Sequence, residues 1–324
     1  MRHSKPMYCM NFTILESQRR TYTWASFQMR LAGVDYKTAK RPLDYAIDIR
    51  AMTEADLGQA HQLSIAVAWP HRPEDWRLVF EVGYGLIACD RIGRALGTAM
   101  WWPFGEHFAT IGMVITSPRL QARGAGRRLM DTIFEQSGQR DLRLNSTREG
   151  YRLYRSLGFE PIGRVFQHQG RVEDAGPATD STISVRPVVV DDLDAIARLD
   201  AMAYGADRTR VIKALMPQSI GTIHERNGEA VGFAFCRRFG RGHVVGPIVA
   251  EDDMAAIALT RPHVQAHEGE FLRVDTAMEQ GLFGGFLESC GMMIHDTVTT
   301  MIRGNNHAAR GTMRTFGLIN QALG

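Results

Sequence analysis

A repeat at an offset of about 135 residues constrains this 324-residue chain more than any other feature. Ile49–Leu57 (IRAMTEADL) lies over Val185–Leu193 (VRPVVVDDL). Gly93–Gly97 with Phe104-Gly105 lies over Gly228–Gly232 with Phe239-Gly240. Ile111–Ile115 lies over Val245–Val249, Leu142–Leu144 over Leu272–Val274, and Gly158-Phe159 over Gly291-Met292. Shared turns and strand starts in one order imply two copies of one fold. The length, too great for one comfortable core, implies the same.

The copies differ where chemistry is expected. In the first, the apolar run Thr110–Thr116 leads into Gln121-Ala122-Arg123-Gly124-Ala125-Gly126. A helical pattern follows at Arg127, Arg128, Leu129, Met130, Ile133 and Phe134. Strand, glycine turn and helix gather backbone N–H groups and a helix N-terminus around one point, a ready site for phosphate. The Walker pattern needs four residues between its glycines and then Lys-Ser/Thr, which this turn lacks. The dinucleotide fingerprint wants a third glycine where Leu129 stands. The second copy has a helical run at Met254–Leu259 instead of the glycine turn, and Leu287 where the first has Tyr154.

The spacing Gln121-x-x-Gly124-x-Gly126 after a Met-Val-Ile strand resembles the acyl-CoA loop of the GNAT superfamily of N-acetyltransferases. Leu153-Tyr154-Arg155-Ser156-Leu157-Gly158-Phe159 resembles that superfamily's second hallmark. The second copy resembles the C-terminal domain of tandem GNAT proteins, especially in Tyr204–Arg208 and Gly246–Ala250. The resemblance implies acetyl-CoA as co-substrate, held by Met113, Val114, Ile115 and by Gln121 through Arg127. It also implies a freed N–H near Met113 facing the thioester oxygen, and Tyr154 as the acid that protonates the leaving thiolate. A phenol of pKa near 10 keeps its proton at neutral pH. Many relatives carry Asn where this chain has Thr147.

For the acceptor, Trp69, His71, Glu74 and Trp76 fall in a loop between the first helix and the next strand, and they suit a pocket for a cation or a ring. Asp75 in that loop, or Glu106 beside His107, is a candidate base. Asp275 and His243 are further candidates if the acceptor lies between the copies. The chemistry expected is direct transfer to a small-molecule amine in a ternary complex, because no cysteine falls beside the cofactor motifs. The alternative is a non-catalytic acyl-CoA-binding or sensing protein.

The fold expected is α/β: two tandem GNAT-like domains, each a mixed central sheet flanked by helices. The expected layout is an extension at 1–44, the catalytic domain at 45–168, a linker at 169–182, the degenerate domain at 183–303 and a tail at 304–324. The oligomer expected is a monomer whose domains mimic a dimer, or a homodimer. A formal charge of +3 gives no case for nucleic acid, and no eighteen-residue apolar run could span a membrane. Cys9, Cys89, Cys236 and Cys290 lack paired spacing, so no metal and a reducing cytoplasm are expected.

Overall fold

The computed structural model describes residues 47–117, 124–176, 183–307 and 311–324. Within the first copy the order is β1 (Asp48–Ala51), α1 (Leu57–Ala66), α2 (Pro73–Glu81), β2 (Tyr84–Cys89), β3 (Ala95–Phe104) and β4 (Phe108–Thr116). Then come α3 (Ala125–Ser137), β5 (Asp141–Ser146), α4 (Tyr151–Ser156) and β6 (Glu160–Arg171). The second copy runs β7 (Ser184–Pro187), α5 (Leu193–Tyr204), α6 (Thr209–Leu215), β8 (Ile220–Arg226), β9 (Glu229–Phe239) and β10 (Gly242–Ala250). It ends with α7 (Asp253–Ala266), β11 (Phe271–Thr276), α8 (Leu282–Ser289), β12 (Met293–Arg303) and β13 (Arg314–Gly317).

The repeat is visible in side-chain detail. Both Arg50 nitrogens meet Asp56 at 2.7 Å, and Asp56 accepts the Thr53 N–H at 2.8 Å to start the α1 turn. Arg186 meets Asp192 at 2.8 Å twice, and Asp192 accepts the Val189 N–H at 2.8 Å. One clamp therefore ties a first strand to a first helix in each copy. The arginine hydrogen bond holds each carboxyl well below the usual carboxylate range.

The sheets are not separate. The order β1-β2-β3-β4-β5-β12-β6-β11-β10-β9-β8-β7 makes one sheet, with β13 added beside β10. Exchanging each strand for its repeat partner reverses this order onto itself, so the halves are related by a pseudo-two-fold. At the seam the last strands are traded. β12 pairs with β5 from Thr299↔Ser146 to Arg303↔Leu142, and β6 pairs with β11 from Phe271↔Arg171 to Thr276↔Phe166. Without that trade β5 and β11 would each expose a row of unpaired backbone groups.

Three expectations change. Residues 169–171, read as linker, finish β6. Residues 304–324, read as a tail, contain β13 and the buried Ile319 and Leu323. The 69–76 stretch is not all loop: Pro73 opens α2, and Asp75 caps it by accepting the Arg72 N–H at 2.8 Å. In the second copy Asp252 caps α7 by accepting the Ala255 N–H at 2.9 Å.

Two outcomes follow. Because the seam strands belong to opposite halves, calorimetry should give one cooperative unfolding transition with equal calorimetric and van't Hoff enthalpies. Two resolved transitions would mean the halves fold apart. His263, inside the α7 core at 3.1 Å from Thr222 Oγ1, has its pKa pushed down by burial from 6.5 to about 4. Between those values the unfolded chain takes up a proton that the folded chain refuses. Stability should therefore fall by about 1.4 kcal/mol per pH unit for this group as pH drops through the window. His263→Leu should flatten that slope in denaturant titrations at pH 7 and pH 5.

Candidate functional site

β4 and β5 run parallel and pair only as far as Ile111↔Leu144. β4 continues to Thr116 and β5 to Ser146, so the two strands part beyond this point. Just past it, β4 bulges. Thr98 faces Ile115 and Met100 faces Gly112, which leaves Met113 and Val114 opposite the single Ala99. Met113 sits at φ 51°, a left-handed value uncommon for a side-chain-bearing residue, and its carbonyl accepts the Thr98 hydroxyl at 2.8 Å. Backbone polar groups are thus turned out of the sheet at the mouth of the opening.

At the head of α3, Gly124 adopts φ 73°, and among the described residues nothing lies within 4 Å of where its side chain would start. Ala125 is buried in the core, and a Cβ on Gly126 would stand 3.2 Å from Leu153. The corner is therefore bare backbone on its outer side and tightly packed on its inner side. Arg127 leans toward Ser156 Oγ at 3.5 Å. Gln121, Ala122 and Arg123 lie outside the described residues.

A cavity of about 210 Å³ opens beside the bulge. Gly112, Met113, Asn145 and Thr147 line it from the first copy, and Phe239, Arg241, Phe271 and Arg273 line it from the second. The final turn of the chain, Asn320 to Ala322, forms another wall. Trp69 and His71 line this cavity. His71 stands edge-on to Trp69, Trp76 and Phe239, with ring centroids 5.7, 6.4 and 5.7 Å away. Burial lowers its pKa to about 4, so the imidazole is neutral at pH 7. Its Nδ1 is buried and has no hydrogen-bond partner among the described residues.

Several expected residues lie elsewhere. Trp76 is wholly buried beneath His71, with its indole N–H on Ser64 Oγ at 3.1 Å. Glu74 is exposed on α2 and does not line the cavity. Asp75 lines it, but its carboxylate is engaged by Arg72 at 2.7 Å and by the Gly240 N–H at 2.9 Å. That carboxylate caps α2 and joins the two halves. Glu106 and His107 are exposed at the β3–β4 turn, away from the cavity. Tyr154 is buried in the α3–α4 core against Phe159, and burial raises its pKa. It lines neither this cavity nor a second, more open hollow bounded by Ser146, Tyr151, Arg164 and Thr299. Asp275 is buried beneath the cavity wall, held by Arg273 at 2.8 Å, and His243 faces His267 and Glu270 outside the cavity.

The second copy treats its equivalent opening differently. β10 and β11 pair only at His243↔Leu272 and Val244↔Arg273. Beyond that, β13 enters the gap. It pairs with β10 at Ile248↔Gly317, Val249↔Thr315 and Ala250↔Arg314, and the Leu318 N–H reaches the Asp275 carbonyl of β11 at 2.8 Å. A side chain on Gly246 would collide with the Leu318 carbonyl. Arg208, paired with Asp200 at 2.6 Å, donates to the carbonyls of Leu323 and Gly324, and Arg237 donates to Ile319 at 2.8 Å. The Tyr204–Arg208 and Gly246–Ala250 motifs thus hold one segment that no reading of the sequence placed here. The alternation of Thr315, Phe316 and Gly317 was the available signal for its strand.

A family profile described as "Acetyltransferase (GNAT) domain" matches residues 81–161, and a second profile with the same description matches residues 196–317. A Bacillus subtilis (strain 168) protein described as uncharacterized N-acetyltransferase YitH is 29% identical over 232 residues, covering 68% of this chain and 78% of that protein. Among solved structures, a candidate acetyltransferase from Pyrococcus horikoshii superposes with TM-score 0.71 at 18% identity, covering 92% of this chain and all of that one. A tandem GNAT protein from the clavulanic acid biosynthesis pathway gives 0.61 at 14% identity, covering 80% of this chain and 99% of that one. Two matching domains in tandem, spanning more than half of the chain, place this protein in the GNAT superfamily as a two-domain acyltransferase.

Proposed function

We propose that the first domain transfers an acetyl group from acetyl-CoA to a small-molecule amine, directly and within a ternary complex. The observation that carries this reading is the contrast between the two openings. The gap between β4 and β5 has a bulged strand and a bare glycine corner beside it, whereas its counterpart is filled by β13. An extended pantetheine arm would use β4 as β13 uses β10, by strand addition. Gly124, Ala125, Gly126 and Arg127 would receive the diphosphate, joined by Gln121–Arg123.

In this reading the amine nitrogen attacks the thioester carbon from the cavity side. Charge grows on the carbonyl oxygen, where a Met113 N–H would stabilise it, an effect worth roughly 3 kcal/mol in the barrier. As the C–S bond breaks, sulfur takes a proton from Tyr154, whose burial keeps the phenol protonated, and the proton shed by the acylated nitrogen returns through solvent to restore the phenol. His71, neutral and on the acceptor side, accepts a hydrogen bond from the substrate rather than carrying charge. Three buried free thiols, Cys89, Cys236 and Cys290, support a cytoplasmic setting as part of the proposal. Tyr154 lies outside both cavities, which favours the sensor as a second reading.

Calorimetric titration of acetyl-CoA should give one site per chain, and Gly126→Val should weaken it at least about tenfold by pushing α3 from Leu153. Two equivalent sites would refute the filled second groove. Tyr154→Phe should cut turnover roughly 10²–10⁴-fold with donor affinity unchanged. Donor binding without turnover in the wild type, across a broad amine panel, would favour the sensor.

A further inference from the structure

The chain's final turn is built to be rigid. Asn320 Oδ1 accepts the N–H groups of Ala322 and Leu323 at 2.9 and 2.8 Å, the Ile319 N–H donates to the Gly324 carbonyl at 3.0 Å, and the Gly324 N–H donates to the Asn320 carbonyl at 3.1 Å. Arg208 and Arg237, both buried, clamp it from the second domain. Its tip is pressed against the first domain where β4 and β5 part. A Cβ on Gly112 would lie 2.6 Å from the Ala322 methyl, and Asn145 of β5 donates to the Gln321 carbonyl at 2.8 Å. The turn thus spans the opening on its cavity side, next to the Met113 bulge.

The cavity's polar lining is dominated by side-chain amides. Gln167 donates to Gln169 at 2.8 Å, and the Gln321 amide reaches Gln167 at 3.3 Å and Asp275 at 3.4 Å. With Asn145 and Asn320 these make five carboxamides around one space. Two of the cavity's charges are already neutralised, Asp75 by Arg72 and Arg273 by Asp275. At the exposed rim stand Arg241 and, with His295, Asp296. Asp296 offers a seat for an ammonium group. Carboxamides both donate and accept, so they match a ligand dense in hydroxyl or amide groups and leave a plain alkyl chain with nothing to pair.

We propose that residues 320–322 form a specificity-determining wall of the acceptor pocket, presented by the second domain, and that Gln321 reads an amine bearing several hydroxyl or amide groups. This rests on the donor site assigned above. The second domain then has a defined task. Its groove, filled by β13, fixes where Asn320 and Gln321 stand relative to the donor strand. The acceptor is selected by groups from both halves.

The test uses the full chain with acetyl-CoA and three amines: a hexosamine, a diaminoalkane and a hydrophobic alkylamine, with thiol release as the readout. Wild type should prefer the hexosamine. Gln321→Ala should raise its KM at least about tenfold with little change in kcat, acetyl-CoA affinity or unfolding midpoint. Asn320→Ala, which loosens the turn, should act in the same direction. Preference for the diaminoalkane or alkylamine would overturn the proposal. So would unchanged hexosamine constants in Gln321→Ala, or donor binding with no transfer to any of the three. Absence of acetyl-CoA binding in a separate calorimetric titration would instead bring down the donor site, and this proposal with it.

Discussion

The trade of last strands at the seam is the constraint on which the rest depends. A parallel pair such as β4–β5 can open at one end only if the far edge of β5 is secured elsewhere. Here that edge is secured by β12 from the other half, over five consecutive residue pairs. β6 in turn completes the second half by lying against β11. Backbone hydrogen bonds thus hold the β4–β5 opening from outside, and the opening needs no plug of its own. The arrangement also brings β6, β11 and β12 together, so that Gln167, Arg273 and His295 meet at one cavity from two domains.

Holding the final turn requires buried charge. Arg208 and Asp200 are almost wholly out of water, and breaking such a pair by removing one partner typically costs about 3–5 kcal/mol. Arg237 has a stricter position. It hydrogen-bonds two carbonyls rather than a carboxylate, and burial lowers its pKa to about 10, still charged at neutral pH. Two buried arginines directed at one short segment tie its position to the core of the second domain.

Much of this was legible in the sequence, and the limits are physical. The repeat laid Arg50 over Arg186 and Asp56 over Asp192, and the structure joins each aligned pair in the same clamp, which the sequence reading had not paired. The β4 strand followed from the apolar run Thr110–Thr116. The strand trade was hidden because β6 and β12 pair with partners more than a hundred residues away, and no local pattern encodes which copy supplies a partner. Trp76 illustrates a second limit. An aromatic beside acids suits a pocket, yet the α2 period turns it inward onto Ser64. Asp75 likewise had the chemistry of a base but is committed to a cap and an interdomain bond.

The second domain's losses are coherent once its groove is filled. With β13 seated between β10 and β11, no ligand has to approach the head of α7, so that helix begins with an ordinary aspartate cap in place of a glycine corner. Leu287, wholly buried at the position Tyr154 occupies in the first copy, carries no hydroxyl, in keeping with the acid role proposed for Tyr154 in the first copy alone. What must stay are the glycine that lets Leu318 pass at Gly246 and the arginines that grip the turn beyond it. The arginines are where the second copy departs from the first without becoming merely apolar, whereas Gly246 keeps the glycine that stands at Gly112 in the first. A gap that stays open between β4 and β5 is here a seat for the chain itself, and the residues just beyond the seated strand line the cavity shared with the first copy.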